Sequence, residues 1–347
     1  MPNKSRRAWL KKAAWSGLGL TGLAASCSPA EEKKQAAEGF YFAHLTDMHV
    51  RRKRKGHEGY AACVAHINAL QPAPELVLMG GDMAFDGNYT PKEEFIDQLQ
   101  LVKGISDDLQ MPYYACIGNH DSLGLNPRRK VEIEDPDIGK GLFLATFGLD
   151  RSYYSFDHKG WHFVVLDALL EVEAEHGPSQ THAFGEEQLD WLRFDLGRNP
   201  RPTVISTHIG PFCNIGQYLA DPKLPAMNHM VVQDGLAFRQ ICERHQVRAV
   251  LQGHSHIPEE YRFNGIWYIT SPAVSASWWS GNWKGYGTGF TLLHAKESGE
   301  LSWETRYYDW EPQLEPEDTL ERERTADRTA FEKEQERLKQ EESHAQR

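Results

Sequence analysis

Residues 111–124 read MPYYACIGNHDSLG. An apolar, aromatic run stops at Gly118, and Asn119, His120 and Asp121 follow without a spacer. Polar side chains at the end of a buried strand are costly unless something satisfies them, so what these three hold decides how the chain is built. The same punctuation recurs. FYFAHLTDMH closes on Asp47 and His49, ELVLMGGD on Asp82, TVISTH on His208, and RAVLQGHSH on His254 and His256. Each polar group follows an apolar, β-rich run, and the carboxyl ends of strands are where sites form in open α/β sheets. Side chains two apart on a strand share a face. The spacing therefore predicts that Asp47 points with His49, and His254 with His256. Glycines 80, 81, 118 and 253 allow tight turns directly after the strands. Taken singly, each polar residue reads more readily as a cap or a hydrogen-bonded core group. Taken together, they form a carboxylate–imidazole cluster that destabilises itself without cations and that two divalent metals would satisfy. Mixed nitrogen and oxygen donors suit Mn, Fe or Zn better than Ca.

Between the strand-like runs lie helical patterns. After Thr90, the side chains Phe95, Leu99, Val102, Ile105 and Leu109 share one helical face. Thr90 as N-cap, Pro91 in the first turn and Glu93 as the return partner make a capping box. Further helices are expected over 186–196 and 234–245. Alternation of strands and helices predicts an α/β body with helices packed on sheet faces.

The ordered set DMH, GGD, GNHD, STH and GHSH resembles the calcineurin-like metallophosphoesterase superfamily, over about residues 40–306. The resemblance implies a four-layer α-β-β-α sandwich of two mixed sheets flanked by helices, with a dinuclear centre. It implies that Asp47, His49 and His256 take one metal, that Asn119, His208 and His254 take the other, and that Asp82 bridges them. It places His120 at the leaving group as general acid, with Asp121 orienting it. The implied activity is hydrolysis of phosphate esters, diesters first and monoesters as the alternative, with a hydroxide shared by the metals as attacking group. A non-catalytic binding protein on the same fold would lack a ligand or the acid, and here every position is filled. EEQLDWL, STHIGPF and the stretch 233–256 resemble the cyclic-nucleotide phosphodiesterase branch most. Phe85 stands where purple acid phosphatases carry a metal-binding Tyr.

The chain has 347 residues, 40% of them apolar, with 10 Trp, 13 Tyr and 15 Phe, enough for a sizeable core. A net charge of −11 argues against specific nucleic-acid binding, whose affinity rests on neutralised phosphates. The first 27 residues have a basic start, a short apolar stretch and Cys27. Ser5–Lys11 resembles a twin-arginine export signal and Leu23–Cys27 a bacterial lipobox. The expected organisation is an export signal over 1–27, a polar linker over 28–38, the catalytic body over 39–310 and a charged tail over 311–347. The expected location is the periplasm, with any membrane attachment through lipid on Cys27. The four remaining cysteines, Cys63, Cys116, Cys213 and Cys242, are widely spaced, which favours buried free thiols.

Two segments bear on substrate choice. Arg51–Lys55 and Arg128–Lys130 follow expected site residues and would draw in a small anionic phosphate ester, or else are solvated loops. Trp278, Trp279, Trp283 and Tyr286 would form a stacking rim, or else close the end of the sandwich, the preferred reading.

Overall fold

The computed structural model describes residues 39–219, 221, 223 and 227–315. The export signal, the linker and most of the charged tail lie outside the described residues, so the boundaries proposed there rest on sequence.

The chain begins with β1 (Phe40–Leu45), α1 (Gly56–Asn68), β2 (Leu76–Met79), α2 (Lys92–Ser106), β3 (Tyr113–Ala115) and α3 (Gly141–Phe147). It continues with β4 (Tyr154–His158), β5 (Trp161–Leu166), β6 (Leu169–Ala174), β7 (Gly177–His182), α4 (Glu186–Arg198) and β8 (Thr203–Thr207). Then come α5 (Ile215–Leu219), α6 (Gly235–Cys242), β9 (Val247–Gln252), β10 (Glu259–Phe263), β11 (Ile266–Thr270), β12 (Gly289–Ala295) and β13 (Leu301–Tyr307). One sheet has the order β13-β12-β1-β2-β3 and the other β10-β11-β9-β8-β5-β4, while β6 and β7 form a separate hairpin. Both large sheets are mixed. β1, β2 and β3 run parallel, and β12 joins β1 antiparallel with Phe42 opposite Leu293.

Strand alternation separates two cores. Phe40 and Phe42 of β1, Leu76 and Leu78 of β2, Phe163 of β5, Leu251 of β9 and Leu293 of β12 meet between the sheets. Their neighbours Ala43, Leu45, Val77, Met79, Val164 and Val250 face outward and are covered by helices. Tyr60, Cys63 and Val64 of α1 and Phe95, Leu99 and Val102 of α2 cover the first sheet, and Leu189, Leu192, Phe238 and Ile241 of α4 and α6 complete the outer core. The result is the α-β-β-α sandwich expected from the motifs. Buried side chains of this size each stabilise by about 1.5–3 kcal/mol.

Local details differ from the sequence reading. The Thr90 hydroxyl donates to the Asp86 carbonyl, so it does not cap α2. That helix starts at Lys92 with no side-chain cap and ends at Ser106, which leaves Leu109 beyond it. Cys63, Cys116, Cys213 and Cys242 are buried free thiols.

Candidate metal centre

The expected site residues sit just past the strand ends rather than on the strands. β1 stops at Leu45 and β9 at Gln252, so Asp47, His49, His254 and His256 belong to the following loops. The strand-alternation argument for their pairing therefore fails. What aims them is left-handed backbone: Asp47, His49, Asp82, His254 and His256 have φ of 55°, 43°, 50°, 72° and 59°. Non-glycine residues rarely adopt this region, and each costs of order 1–3 kcal/mol unless the surroundings impose it.

The surroundings do impose it. Asp47 N–H donates to the Gly81 carbonyl at 2.9 Å and His49 N–H to the Asp82 carbonyl at 2.9 Å, so the loops after β1 and β2 run side by side. His120 N–H donates to Asp82 Oδ1 at 2.9 Å, and His254 N–H donates to both Asp47 oxygens at 3.1 Å. Gly118 lets the third loop come in close. A Cβ there would lie 2.1 Å from Asp82 N and 2.3 Å from Asp82 Oδ1. At Gly253 a Cβ would lie 2.0 Å from Thr46 Oγ1 and 2.6 Å from Asp47 Oδ2.

Two clusters result. Asp47, His49 and His256 form one and Asp82, His208 and His254 the other, each with candidate ligand atoms within 4.8 Å of one another. They adjoin: Asp82 Oδ2 is 3.1 Å from His208 Nε2 and 3.7 Å from His49 Nε2. Asp47 Oδ1 is 3.3 Å from His256 Nε2 and 4.0 Å from both His49 Nε2 and His208 Nε2. The Asn119 Oδ1 atom is buried without a partner. The Asn119 carbonyl, by contrast, accepts from Asn88 Nδ2 at 2.6 Å and Gln180 Nε2 at 3.0 Å.

Each of the four imidazoles has one nitrogen committed to a backbone carbonyl, which assigns its tautomer. His208 Nδ1 donates to Gly80 at 2.8 Å, His256 Nδ1 to Ala276 at 2.7 Å, His49 Nδ1 to Phe85 at 3.3 Å and His254 Nε2 to His229 at 2.9 Å. The bare nitrogens of His49 and His256 then face each other at 3.1 Å. Two lone pairs at that distance repel unless a cation lies between them and the adjacent carboxylates. Carbonyl-bonded imidazoles with the second nitrogen turned inward are the usual outer support of metal-ligating histidines, so the residues present fit two metals.

Charge is shared between the carboxylates and the imidazoles: against burial, Asp82 and Asp47 raise His208 to about 9. Burial alone would raise the Asp47 carboxyl, but His256 and His208 outweigh it and hold it well below the carboxylate range. Asp82 is likewise held down, against burial, by His208, His120 and His49. Burial drives His49 well down and His254 to about 3, so both stay neutral.

His120 lies at the edge of this cluster, its Nε2 3.9 Å from Asp82 Oδ2. Burial would lower it, but Asp82 and Asp86 raise it to about 9. The carboxylate facing His120 Nδ1 is Asp86, at 3.6 Å. Asp121, expected to orient His120, bonds to the backbone of the adjoining turns. Its carboxylate accepts from Gly118 N at 2.9 Å, Ala84 N at 2.8 Å and Met83 N at 3.2 Å, and so knits the turns together. Adjacent side chains on a tight turn diverge, so Asp121 follows His120 in sequence while Asp86 faces the ring. The sequence offered a signal for Asp86, a second carboxylate in GGDMAFDG, that went unread.

Three other contributors were not foreseen. Gln180 of β7 joins the Asn119 carbonyl to the Ser122 hydroxyl, its Oε1 accepting at 3.0 Å. The His229 carbonyl supports His254. His44, fully buried beneath the centre, is driven down to about 3 by burial, and its Nδ1 lies 2.7 Å from Ser271 Oγ.

The basic run after His49 is largely tied down. Arg51 stacks over the Phe85 ring at 3.7 Å, Arg52 pairs with Asp97 at 2.8 Å, and Lys55 with Glu58 at 3.3 Å. Arg54 donates to the Trp278 carbonyl at 3.0 Å. Arg129 donates to the carbonyls of Gly124, His176 and Pro178. These contacts hold loops in place, which weakens the steering reading. In the aromatic segment, Trp279 is buried, its indole donating to the carbonyls of Met48 and His49, whereas Trp278 is half-buried against His256 and His49.

A family model described as calcineurin-like phosphoesterase matches residues 40–258. A probable cyclic nucleotide phosphodiesterase of Xenorhabdus bovienii is 22% identical over 247 residues, covering 69% of this chain and 87% of that one. Another so named, from Synechococcus, is 30% identical over 190 residues, covering 54% and 60%. A probable glycerophosphodiester phosphodiesterase of Arcobacter nitrofigilis is 26% identical over 243 residues, covering 67% and 77%. With the matched stretch holding both clusters and the strands that lead into them, the chain belongs to the calcineurin-like phosphoesterase family, hydrolases that use divalent metals.

Proposed function

We propose that the chain is a phosphodiesterase that hydrolyses small phosphodiesters at a dinuclear metal centre. The observation that carries this reading is the pair of bare imidazole nitrogens of His49 and His256 at 3.1 Å, beside Asp47, next to a second cluster of the same make. The similarity to relatives named for cyclic nucleotides and glycerophosphodiesters favours diesters over monoesters.

Asp47, His49 and His256 would hold one metal, Asn119, His208 and His254 the other, with Asp82 between them. Mn, Fe or Zn suits this donor set. Two such ions, when bound, supply positive charge at the attacking and leaving oxygens and make a water nucleophilic at neutral pH. The protein's own part is to hold and deliver a proton. His120 carries one, kept by Asp82 and Asp86. With Asp86 facing Nδ1, the Nε2–H is turned toward the centre and is placed to protonate the departing alkoxide. Such acid catalysis contributes typically ~10²–10⁴-fold. Asp121 acts one step back, fixing the turn that presents Asn119 and His120.

On the sequence of residues 1–27, we place the enzyme in a bacterial cell envelope, exported folded and, if Cys27 is lipidated, membrane-attached. The deciding experiment is a panel of mono- and diesters of the same alcohol with metal-reconstituted protein. Diesters are expected to turn over at least tenfold faster. A clear preference for monoesters would replace this reading by a phosphomonoesterase, and no turnover of either would remove it.

A further inference from the structure

The loop between β11 and β12 carries an aromatic pair that the metal chemistry does not use. Its backbone is forced into the left-handed region at Ala276, Trp278 and Trp279, with φ of 48°, 48° and 69°. Two of these have evident structural purposes. The Ala276 carbonyl accepts from His256 Nδ1. Trp279 is packed so tightly over α1 that a Cβ on Gly59 would lie 2.3 Å from its ring. Trp279 thus already closes this end of the sandwich.

Trp278 is different. It is a bulky residue at positive φ, half-buried, with its ring laid on the candidate metal ligands. The ring centroids lie 4.3 Å from His256 at an interplanar angle of 35° and 5.6 Å from His49 at 47°. Trp283 meets it edge-on, at 5.3 Å and 81°. Behind Trp283 lies a small apolar cluster that includes Ile215, Ile257, Met227 and Met230. The neighbouring His229 supports His254 through its carbonyl. Arg54 donates to the Trp278 carbonyl and fixes the loop. Strain of this kind persists where the surroundings over-determine it, and it concentrates at ligand clamps. An indole held beside the reacting centre presents a sequence-tolerant π-face to any flat ring attached to the phosphate.

We infer that Trp278, braced edge-on by Trp283, is a specificity-determining platform on which the substrate stacks a planar aromatic group, so that the favoured diesters carry a nucleobase or an aryl ring. The inference rests on the phosphodiesterase reading and narrows its substrate class.

The test uses the metal-loaded protein and its variants Trp278→Ala, Trp278→Leu, Trp278→Phe and Trp283→Ala. Their kcat/KM is measured on 3′,5′-cyclic AMP and on ring-free glycerophosphoethanolamine, with metal content determined alongside. Base-on-aromatic stacking is worth ~1–3 kcal/mol, so Trp278→Ala is expected to lower the cyclic AMP to glycerophosphoethanolamine selectivity ratio about 5- to 150-fold, chiefly through KM. Trp278→Phe is expected to restore much of that ratio, and Trp283→Ala to lower it less. A ratio that stays within about twofold of wild type in Trp278→Ala overturns the inference. Should that variant lose metal, Trp278→Leu, which keeps bulk without a π-face, decides on the same criterion. If wild type hydrolyses no diester, the functional reading fails by itself. The platform is then judged by AMP binding, and equal affinity in wild type and Trp278→Ala overturns it.

Discussion

Replacing Asp86 by Asn asks whether His120 works as an acid held in place by a carboxylate. The change conserves shape. An Asn oxygen can still accept from Asn88 N, now 2.7 Å from Asp86 Oδ1, and from Tyr89 N at 3.2 Å, so the turn before α2 is retained. What disappears is one negative charge 3.6 Å from His120 Nδ1, where the side chains are 25% and 9% exposed. Two unit charges at that distance interact by about 4–5 kcal/mol at an effective dielectric of 20. Solvent access at the partly exposed ring reduces the loss to ~2 kcal/mol, and the His120 pKa, which the carboxylates raise against burial, falls with it. The sign is clear: the variant loses its proton at lower pH, and its ring is less firmly aimed. An alkoxide leaving group needs that proton, whereas p-nitrophenolate departs without it. The expected loss in kcat is about 10- to 100-fold on an alkyl diester and under about threefold on bis(p-nitrophenyl) phosphate. Steady-state kinetics between about pH 7 and 9, with metal content checked, make the comparison. An equal loss on both substrates at full metal occupancy, or no loss on either, would refute the role given to Asp86 and His120.

Gly118→Ala places a methyl group 2.1 Å from the Asp82 nitrogen. Overpacking of this kind costs about 1–3 kcal/mol, and a drop of at least tenfold in kcat with a lower Tm is expected, while near-wild-type kinetics would show that the three loops have slack. His162, at the far end of β5, is buried between Asp157 at 2.7 Å and Asp195 at 2.8 Å. Burial lowers its pKa, but the two carboxylates outweigh this and raise it. Its stabilisation is therefore full below the unfolded value of about 6.5 and fades as pH rises through the folded value. In thermal melts, His162→Gln should lose Tm relative to wild type most near pH 6 and least near pH 9, and a gap that widens with pH would contradict the pairing.

How far the sequence reached depended on the range of the forces involved. The five runs quoted from the sequence became β1, β2, β3, β8 and β9, and all but β3 are apolar enough to be buried on both faces. β12 was overlooked although GFTLLHA is buried throughout. Its partner β1 lies some 250 residues away in the chain, and nothing local announces that pairing. β6 and β7 went unread because their residues, LLEVEA and GPSQTH, have no continuous apolar face. In the site, residue identity was legible while direction was not. Asp47 and His49 were expected to point together by strand alternation, yet left-handed backbone turns them inward. The resemblance put Asp121 beside His120, and only the tertiary fold reveals the carboxylate of Asp86 facing its Nδ1. Trp278 and Trp279 were indistinguishable as neighbours, and only packing separates a buried brace from a half-exposed ring.

Elemental analysis of freshly isolated, active protein is the most direct measurement of all. Two divalent transition ions per chain are expected, falling toward one in His256→Ala and in His208→Ala as each cluster is opened separately. Active protein that carries no such ion, or a stoichiometry insensitive to both substitutions, would contradict a dinuclear centre built from these loops.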